Sequence, residues 1–289
     1  MSGASALAKY QEDAGENDPR EMLRRLELDD DAMHAVVARA RERGVLAIVT
    51  IFSIELVDSV TRMGWDAYKF ASPDVINRPL IEAVTRLGPP VLVSTGAATL
   101  EETVRAHGWL RDWKATDRCA FLQCVSSYPA LIENASLGGI GALQDALDCP
   151  IGYSDHTPGV DTGALAVCAG ASVLEKHLTY DRSAKGPDHS ASLDPHQFAE
   201  YVRLARRAHT MLGERVKVVA ACEADVRRVS RQSIVAKRPI TAGERITRDS
   251  VTVKRPGTGL APYMLNETLA RSAARDIQAD TPIQLEDLA

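Results

Sequence analysis

The sequence predicts an α/β protein built from parallel strand–helix units, and two observations carry that prediction. First, short runs rich in branched and aromatic residues recur about every 20 to 30 residues, with amphipathic helical stretches between them, as a parallel βαβ repeat requires. Second, His156 and His177 lie 21 residues apart and each closes its own apolar run, in GYSDHT and VLEKHLT. Histidines on one helix face would be spaced by three or four. Two that end successive strands instead deliver their rings to a shared rim, which is how a barrel assembles its chemistry.

Taken in order, the 289-residue chain opens on a polar, helix-biased stretch of about 44 residues in which no run reads as a strand. Six strand-like runs follow: VLAIVTIF (45–52), AYKFAS (67–72), PVLVST (90–95), CAFLQCVSS (119–127), PIGYSD (150–155) and VLEKHLT (173–179). Helical periodicity fills the intervals at 29–43, 54–63, 75–87, 99–112, 138–147 and 160–170, and a longer helix is predicted over 195–212. A closed barrel of this type takes eight strands. The expectation is therefore a TIM-type (β/α)8 barrel over residues 1–212, truncated at its N-terminal end to six strands, with open edges. Residues 213–228 are charged and lack a strand period, which suits a linker. The short β-like runs SIVAKRPI and ERITRDSVTVKRPG then predict a small β-rich domain over 229–289.

Bulk composition narrows the function classes. A content of 45% hydrophobic residues supports one large core and one small one. The net charge of −5 argues against a nucleic-acid surface, but not against an anionic substrate, because a phosphate pocket is made locally from a few donors. The five cysteines are odd in number and form no C-x-x-C pair; four lie in apolar segments, so buried thiols in a reducing compartment are expected. The N-terminus has no apolar leader, and the longest apolar run, 45–52, is too short to span a bilayer. A cytoplasmic protein without membrane or nucleic-acid partners is expected.

The strand ends supply the chemistry. Lys69 and Ser72, Ser94 and Thr95 before Gly96, Ser126 and Ser127, and Ser154 fall at successive run ends. A lone serine there is ordinarily a helix cap. The same chemistry on four successive ends reads as a phosphate cradle of hydroxyls, loop N–H groups and one ammonium. His156 alone would read as a core histidine. With His177 on the next strand, and Asp155 and Asp188 near in sequence, the pair reads as ligands of a divalent cation such as Mn²⁺, Zn²⁺ or Fe²⁺, acting as a Lewis acid on a carbonyl. Asp188, in the turn phrase GPDH, is expected to accept from a substrate hydroxyl or to tune a metal-bound water, and His189 reads as structural. Glu175 shares strand parity with His177 and is expected to face inward as its partner.

The phrases YKFAS, LVSTGAATLEE, LQCVSSYPA, GYSDHTPG, EKHLTYDRSAKGPDHSASLDP and VKRPGTG resemble, in order and spacing, the sialic acid (N-acetylneuraminate) synthase family, over about residues 10–288. The resemblance implies a TIM-type barrel followed by a SAF (antifreeze-like) domain. It also implies condensation of phosphoenolpyruvate with N-acetylmannosamine or a related N-acetylated amino sugar to a nine-carbon 2-keto acid, with release of phosphate; legionaminic or pseudaminic acid synthesis is the alternative within the family. By the same resemblance His156 and His177 are metal ligands with Mn²⁺ as cofactor, and Lys69, Ser72, Ser94, Ser126 and Ser154 contact phosphoenolpyruvate. Lys69 and Asp188 are the implied catalytic residues, Tyr128 and Asp188 contact the amino sugar, and Asn17 aligns with a sugar-contacting asparagine. A domain-swapped homodimer is implied, in which the SAF domain caps the neighbouring barrel and Arg255 reaches the sugar's N-acetyl group.

Departures from the family pattern are equally specific. A first strand resembling AEIGxNHNG and a second resembling AVKFQ have no counterpart in this sequence, and with them go a general acid/base carboxylate, a phosphate-binding lysine and a sugar-binding glutamine. Pro73 stands where Gly is usual, and Ile51-Phe52-Ser53 replaces Pro-Phe-Asp or Pro-Phe-Ser. Two other readings stay open: a non-catalytic barrel–SAF paralogue, and a different metal-dependent barrel enzyme such as an aldolase.

Overall fold

The structure, a computed structural model, describes residues 6–8, 11–12 and 15–289; Tyr10, where the family resemblance starts, lies outside the described residues. The chain divides into two compact units, Met1–Gly213 and Glu214–Ala289.

In the first unit, α1 (Pro19–Leu26) starts at Asp18, whose carboxylate accepts from the Arg20 and Glu21 N–H groups, with proline just inside the helix. This cap satisfies donors that no turn of helix can reach. Asp29 caps α2 (Asp30–Glu42) in the same way. Six strands follow: β1 (Ile48–Thr50), β2 (Ala67–Phe70), β3 (Val91–Ser94), β4 (Cys119–Cys124), β5 (Ile151–Asp155) and β6 (Val173–Lys176). They pair in sequence order and all in parallel. Helices α3 (Val57–Arg62), α4 (Arg78–Thr85), α5 (Leu100–Asp112), α6 (Gly138–Ala146) and α7 (Thr162–Cys168) connect them, and α8 (Pro195–Leu212) follows β6. Capping boxes at Thr99/Glu102 and Asp194/Gln197 set the starts of α5 and α8.

This is the TIM-type α/β architecture expected from the sequence, with six strands. Strands β2 to β5 are largely buried on both faces, as inner parallel strands are, whereas β1 and β6 are only partly buried. Phe70, Val93, Phe121, Ile151 and Tyr153 pack outward against Leu80, Ile81, Leu110 and Ile140 of the helices, all fully buried. The curl of the sheet is read from one contact. Lys69 on β2 lies 3.4 Å from Glu175 on β6, whereas four spacings of about 4.8 Å would hold these strands about 19 Å apart in a flat sheet. Gly152 lets the curled strands close up: a Cβ there would lie 2.4 Å from Leu122 Cδ2 and 2.5 Å from the Val173 carbonyl. Among the described residues, the outer edges of β1 and β6 carry no strand partner.

One burial expectation is corrected. Cys119 and Cys124 are buried and Cys149 is intermediate, but Cys168 is exposed. On α7 the residues Thr162, Gly163 and Ala166 face the core, and a position two residues on from Ala166 points to the opposite side of a helix.

The second unit has its own core of Ile234, Ala236, Ile240, Ile246, Val251, Leu260, Ala273, Ile277 and Ile283. Its regular sheet is an antiparallel pair, β7 (Ser233–Ala236) and β8 (Val251–Lys254), with isolated bridges at Val235 to Pro282 and, outside the pair, Ile240 to Ile277. The stretch 213–228, expected as a linker, contains a 3-10 turn at Ala221–Glu223 and the start of α9 (Ala224–Ser230), all of it exposed; α10 (Leu265–Leu269) completes the unit. No described helix is long and apolar enough to cross a membrane.

Candidate active site

Every strand of the first unit sends a residue to one cavity of about 440 Å³ at the carboxyl ends of the sheet. Eight of the site residues implied by the family resemblance line it: Lys69, Ser72, Ser94, Ser126, Tyr128, Ser154, His156 and His177. Thr50, Phe52, Cys124 and Glu175 join them, together with Gln11 from the N-terminal stretch.

The floor is a ring of hydroxyls over Gly96. The Gly96 N–H donates to Ser72 Oγ at 2.9 Å. A Cβ built at Gly96 would meet Ser126 Oγ at 2.2 Å, Ser72 Oγ at 2.9 Å and Cys124 Sγ at 3.1 Å. Three strand ends thus converge on a backbone that only glycine keeps bare. Buried Ser94 Oγ and Glu175 Oε2 have no protein hydrogen-bond partner, so they are the wall atoms a polar ligand would satisfy. Lys69 supplies the ammonium, paired with Glu175. Burial raises the Cys124 thiol pKa and keeps the sulfur protonated.

The adjoining wall is aromatic and imidazole. The His156 and His177 ring centroids lie 5.3 Å apart, and Tyr128 packs at 4.1 Å from His156 and 5.6 Å from His177. His156 Nδ1 is 2.8 Å from the Val125 carbonyl; a carbonyl only accepts, so Nδ1 carries the proton and Nε2 keeps its lone pair. Burial lowers the His156 pKa, which favours that neutral form. Two imidazoles facing one polar cavity, one of them fixed in the ligating tautomer, fit a divalent cation as a two-histidine set with the remaining positions left to oxygen donors. Among the described residues no third His, Cys, Asp or Glu completes a larger cluster.

Other expected residues fall elsewhere. Asp188 does not line the cavity, but its Oδ2 lies 3.7 Å from His177 Nδ1. Asn17 lines a separate depression with Asp18, Glu21, Arg24 and Arg25. Arg255 belongs to the second unit, in a depression with Arg231, Gln232 and Tyr263. Asp155, near the histidines in sequence, faces away from the cavity: strand alternation sends Ser154 into the cavity and Asp155 behind the sheet, where it pairs with Lys176. Glu175 faces inward as parity requires, yet its partner is Lys69 and not His177. Sequence reasoning missed Thr50, Cys124 and Gln11 as lining residues. Cys124 was recoverable, since it shares strand parity with Ser126.

Fold and cavity define a TIM-type α/β protein with a polar, histidine-walled cavity at its strand ends, followed by a second small β unit. Residues 1–217 match the NeuB family and residues 231–289 the SAF domain; the chain belongs to the NeuB family. It is 37% identical to an uncharacterised protein of Methanocaldococcus jannaschii, over 93% of this chain and 79% of that one. It is 32% identical to the N,N'-diacetyllegionaminic acid synthase of Legionella pneumophila, over 93% of this chain and 76% of that one. Among solved structures, N-acetylneuraminic acid (sialic acid) synthetase from Leptospira borgpetersenii superposes with a TM-score of 0.69 at 31% identity, covering 75% of this chain and 76% of that one.

Proposed function

We propose that this chain condenses phosphoenolpyruvate with an N-acetylated amino sugar, N-acetylmannosamine or a 2,4-diacetamido sugar of the legionaminic or pseudaminic type, to give a nine-carbon 2-keto sugar acid and phosphate. The observation that carries this reading is the convergence of the Ser72, Gly96 and Ser126 cradle with Lys69 on one side and the His156–His177 wall on the other. Hydroxyls and an ammonium around a bare glycine suit a phosphate monoester. Names of relatives such as N,N'-diacetyllegionaminic acid synthase and N-acetylneuraminate-9-phosphate synthase point to the same reaction class.

In this reading Lys69, Ser72, Ser94, Ser126 and Ser154 bind and orient phosphoenolpyruvate, while Tyr128 and Asp188 hold the open-chain sugar against the histidine wall. His156 and His177 would hold a divalent cation, Mn²⁺ by family resemblance, which when bound supplies Lewis-acid polarisation of the sugar's aldehyde oxygen. The nucleophilic enol carbon attacks the aldehyde carbon, water adds at the resulting C2 cation, and phosphate departs with C–O cleavage. Holding both reactants in one small cavity supplies the proximity that the carbon–carbon step needs. In a homodimer the partner subunit's Arg255 would complete the sugar site.

The test is phosphate release from phosphoenolpyruvate under Mn²⁺ saturation, with each candidate sugar in turn and the product mass recorded. Release with one sugar and a 2-keto acid of the summed mass is expected. No release with any of them refutes the proposal and leaves a non-catalytic paralogue.

A further inference from the structure

Behind the cavity wall, on the face turned to the helices, lies an ion pair that the reaction does not use. Asp155 and Lys176 are register partners, the last pair of the β5–β6 ladder. Lys176 Nζ is 3.1 Å from Asp155 Oδ2, with the side chains 1% and 0% exposed. The other carboxylate oxygen accepts from the Thr157 N–H and hydroxyl, each at 2.8 Å, and the ammonium donates to the Thr157 carbonyl. Lys176 also sits 5.6 Å above the Tyr201 ring of α8.

Two facts give this pair a role. A fully buried ion pair contributes little to stability that well-packed apolar side chains would not, because desolvation offsets the attraction; its presence therefore suits a task of placement. Its position supplies the task. Ladder pairing ends at Asp155 and Lys176, and the next residue on each strand is His156 and His177. Past that point no β5–β6 backbone bond sets the separation of the two rings, which stand 5.3 Å apart by centroid. We infer that the Asp155–Lys176 pair is a positioning clamp that extends strand registry one residue beyond the ladder and fixes the two histidines at a metal-binding separation. The inference rests on the reading of His156 and His177 as ligands.

The experiment measures Mn²⁺ binding to the full chain by equilibrium dialysis, with melting temperature recorded alongside. The variants are Asp155→Leu/Lys176→Met, which removes both charges together, and Asp155→Asn, which keeps the side chain's shape. Removing groups hydrogen-bonded to metal ligands weakens affinity by about 10- to 100-fold. Asp155 and Lys176 act on the rings only through the strand backbone, so a loss at the lower end, about 10-fold, is expected in both variants while they remain folded. Should the double variant unfold, Asp155→Asn decides alone. A folded variant that binds Mn²⁺ as tightly as the parent overturns the clamp but leaves the ligand reading intact. A parent that binds no Mn²⁺ overturns both.

Discussion

Replacing Gly96 by alanine tests the phosphate cradle with a single methyl group. The new Cβ would stand 2.2 Å from Ser126 Oγ and 2.9 Å from Ser72 Oγ, where ordinary contacts begin at about 3.5 Å. The Ser126 hydroxyl must therefore retreat by roughly 1.3 Å, more than bond-angle give allows, so both serines are driven to rotamers that carry their hydroxyls out of the cradle. Gly96 lies outside the left-handed region, so alanine imposes no backbone strain there. Overpacking should cost about 1–3 kcal/mol of stability, which leaves a folded protein. Each hydrogen bond to a charged ligand is worth about 1.5–3 kcal/mol, so losing one weakens phosphoenolpyruvate binding about 10- to 150-fold and losing both about 10²- to 10⁴-fold. The assay is the KM for phosphoenolpyruvate in phosphate release, checked by calorimetric binding of phosphoenolpyruvate and by circular dichroism for the fold. A folded Gly96→Ala protein with parental KM would show that the phosphate binds elsewhere.

Two further outcomes are expected. Burial, opposed by Asp148, lowers the pKa of His107; a folded-state pKa below the unfolded value of about 6.5 means the unfolded chain takes up the proton first. Stability should thus fall as pH drops below that value, the denaturation midpoint should shift less in His107→Gln between pH 7.5 and 5.5 (~2 pH units), and equal shifts in the two proteins would remove the assignment. Ile48, 46% exposed on the open edge strand β1, is a template for strand pairing between chains; Ile48→Lys should reduce concentration-dependent association in light scattering, and unchanged association would place the contact elsewhere.

Strand and helix positions were legible because parallel strands read as continuous apolar runs and the helices between them keep a helical period. The overshoots are informative. The run 119–127 ends as a strand at Cys124, and 173–179 ends at Lys176, because apolar and hydroxyl residues continue past the last paired rung into the loops that carry Ser126 and His177. Helix α1 carries a visible signature, Asp18 as cap with Pro19 inside, within a stretch whose composition alone shows only helix bias. For the site, residue type at strand ends located Lys69, the serines and the histidines. What alternation decides, sequence proximity misjudged: Asp155 neighbours His156 in the chain yet faces the opposite layer. The role of Gly96 and the pairing of Glu175 with Lys69 depend on curvature, which brings together strands that no local pattern relates.

That curvature has a consequence for how the protein moves. The contact between Lys69 and Glu175 is a chord drawn across the arc of the sheet, and its length measures the radius. Both groups retain some exposure, 14% and 36%, so the pair is worth about 1 kcal/mol or less and follows the bend without setting it. The bend is backed by the packed layer of Phe70, Phe121 and Ile140, while β1 and β6, among the described residues, each have a strand neighbour on one side only. Ser72 and Ser126 follow β2 and β4, so an anion that bridges their hydroxyls must tie those strands together across β3. Its binding should slow amide exchange at the ends of β2, β3 and β4 more than at the two outermost strands, making the rim a clasp on the middle of the sheet.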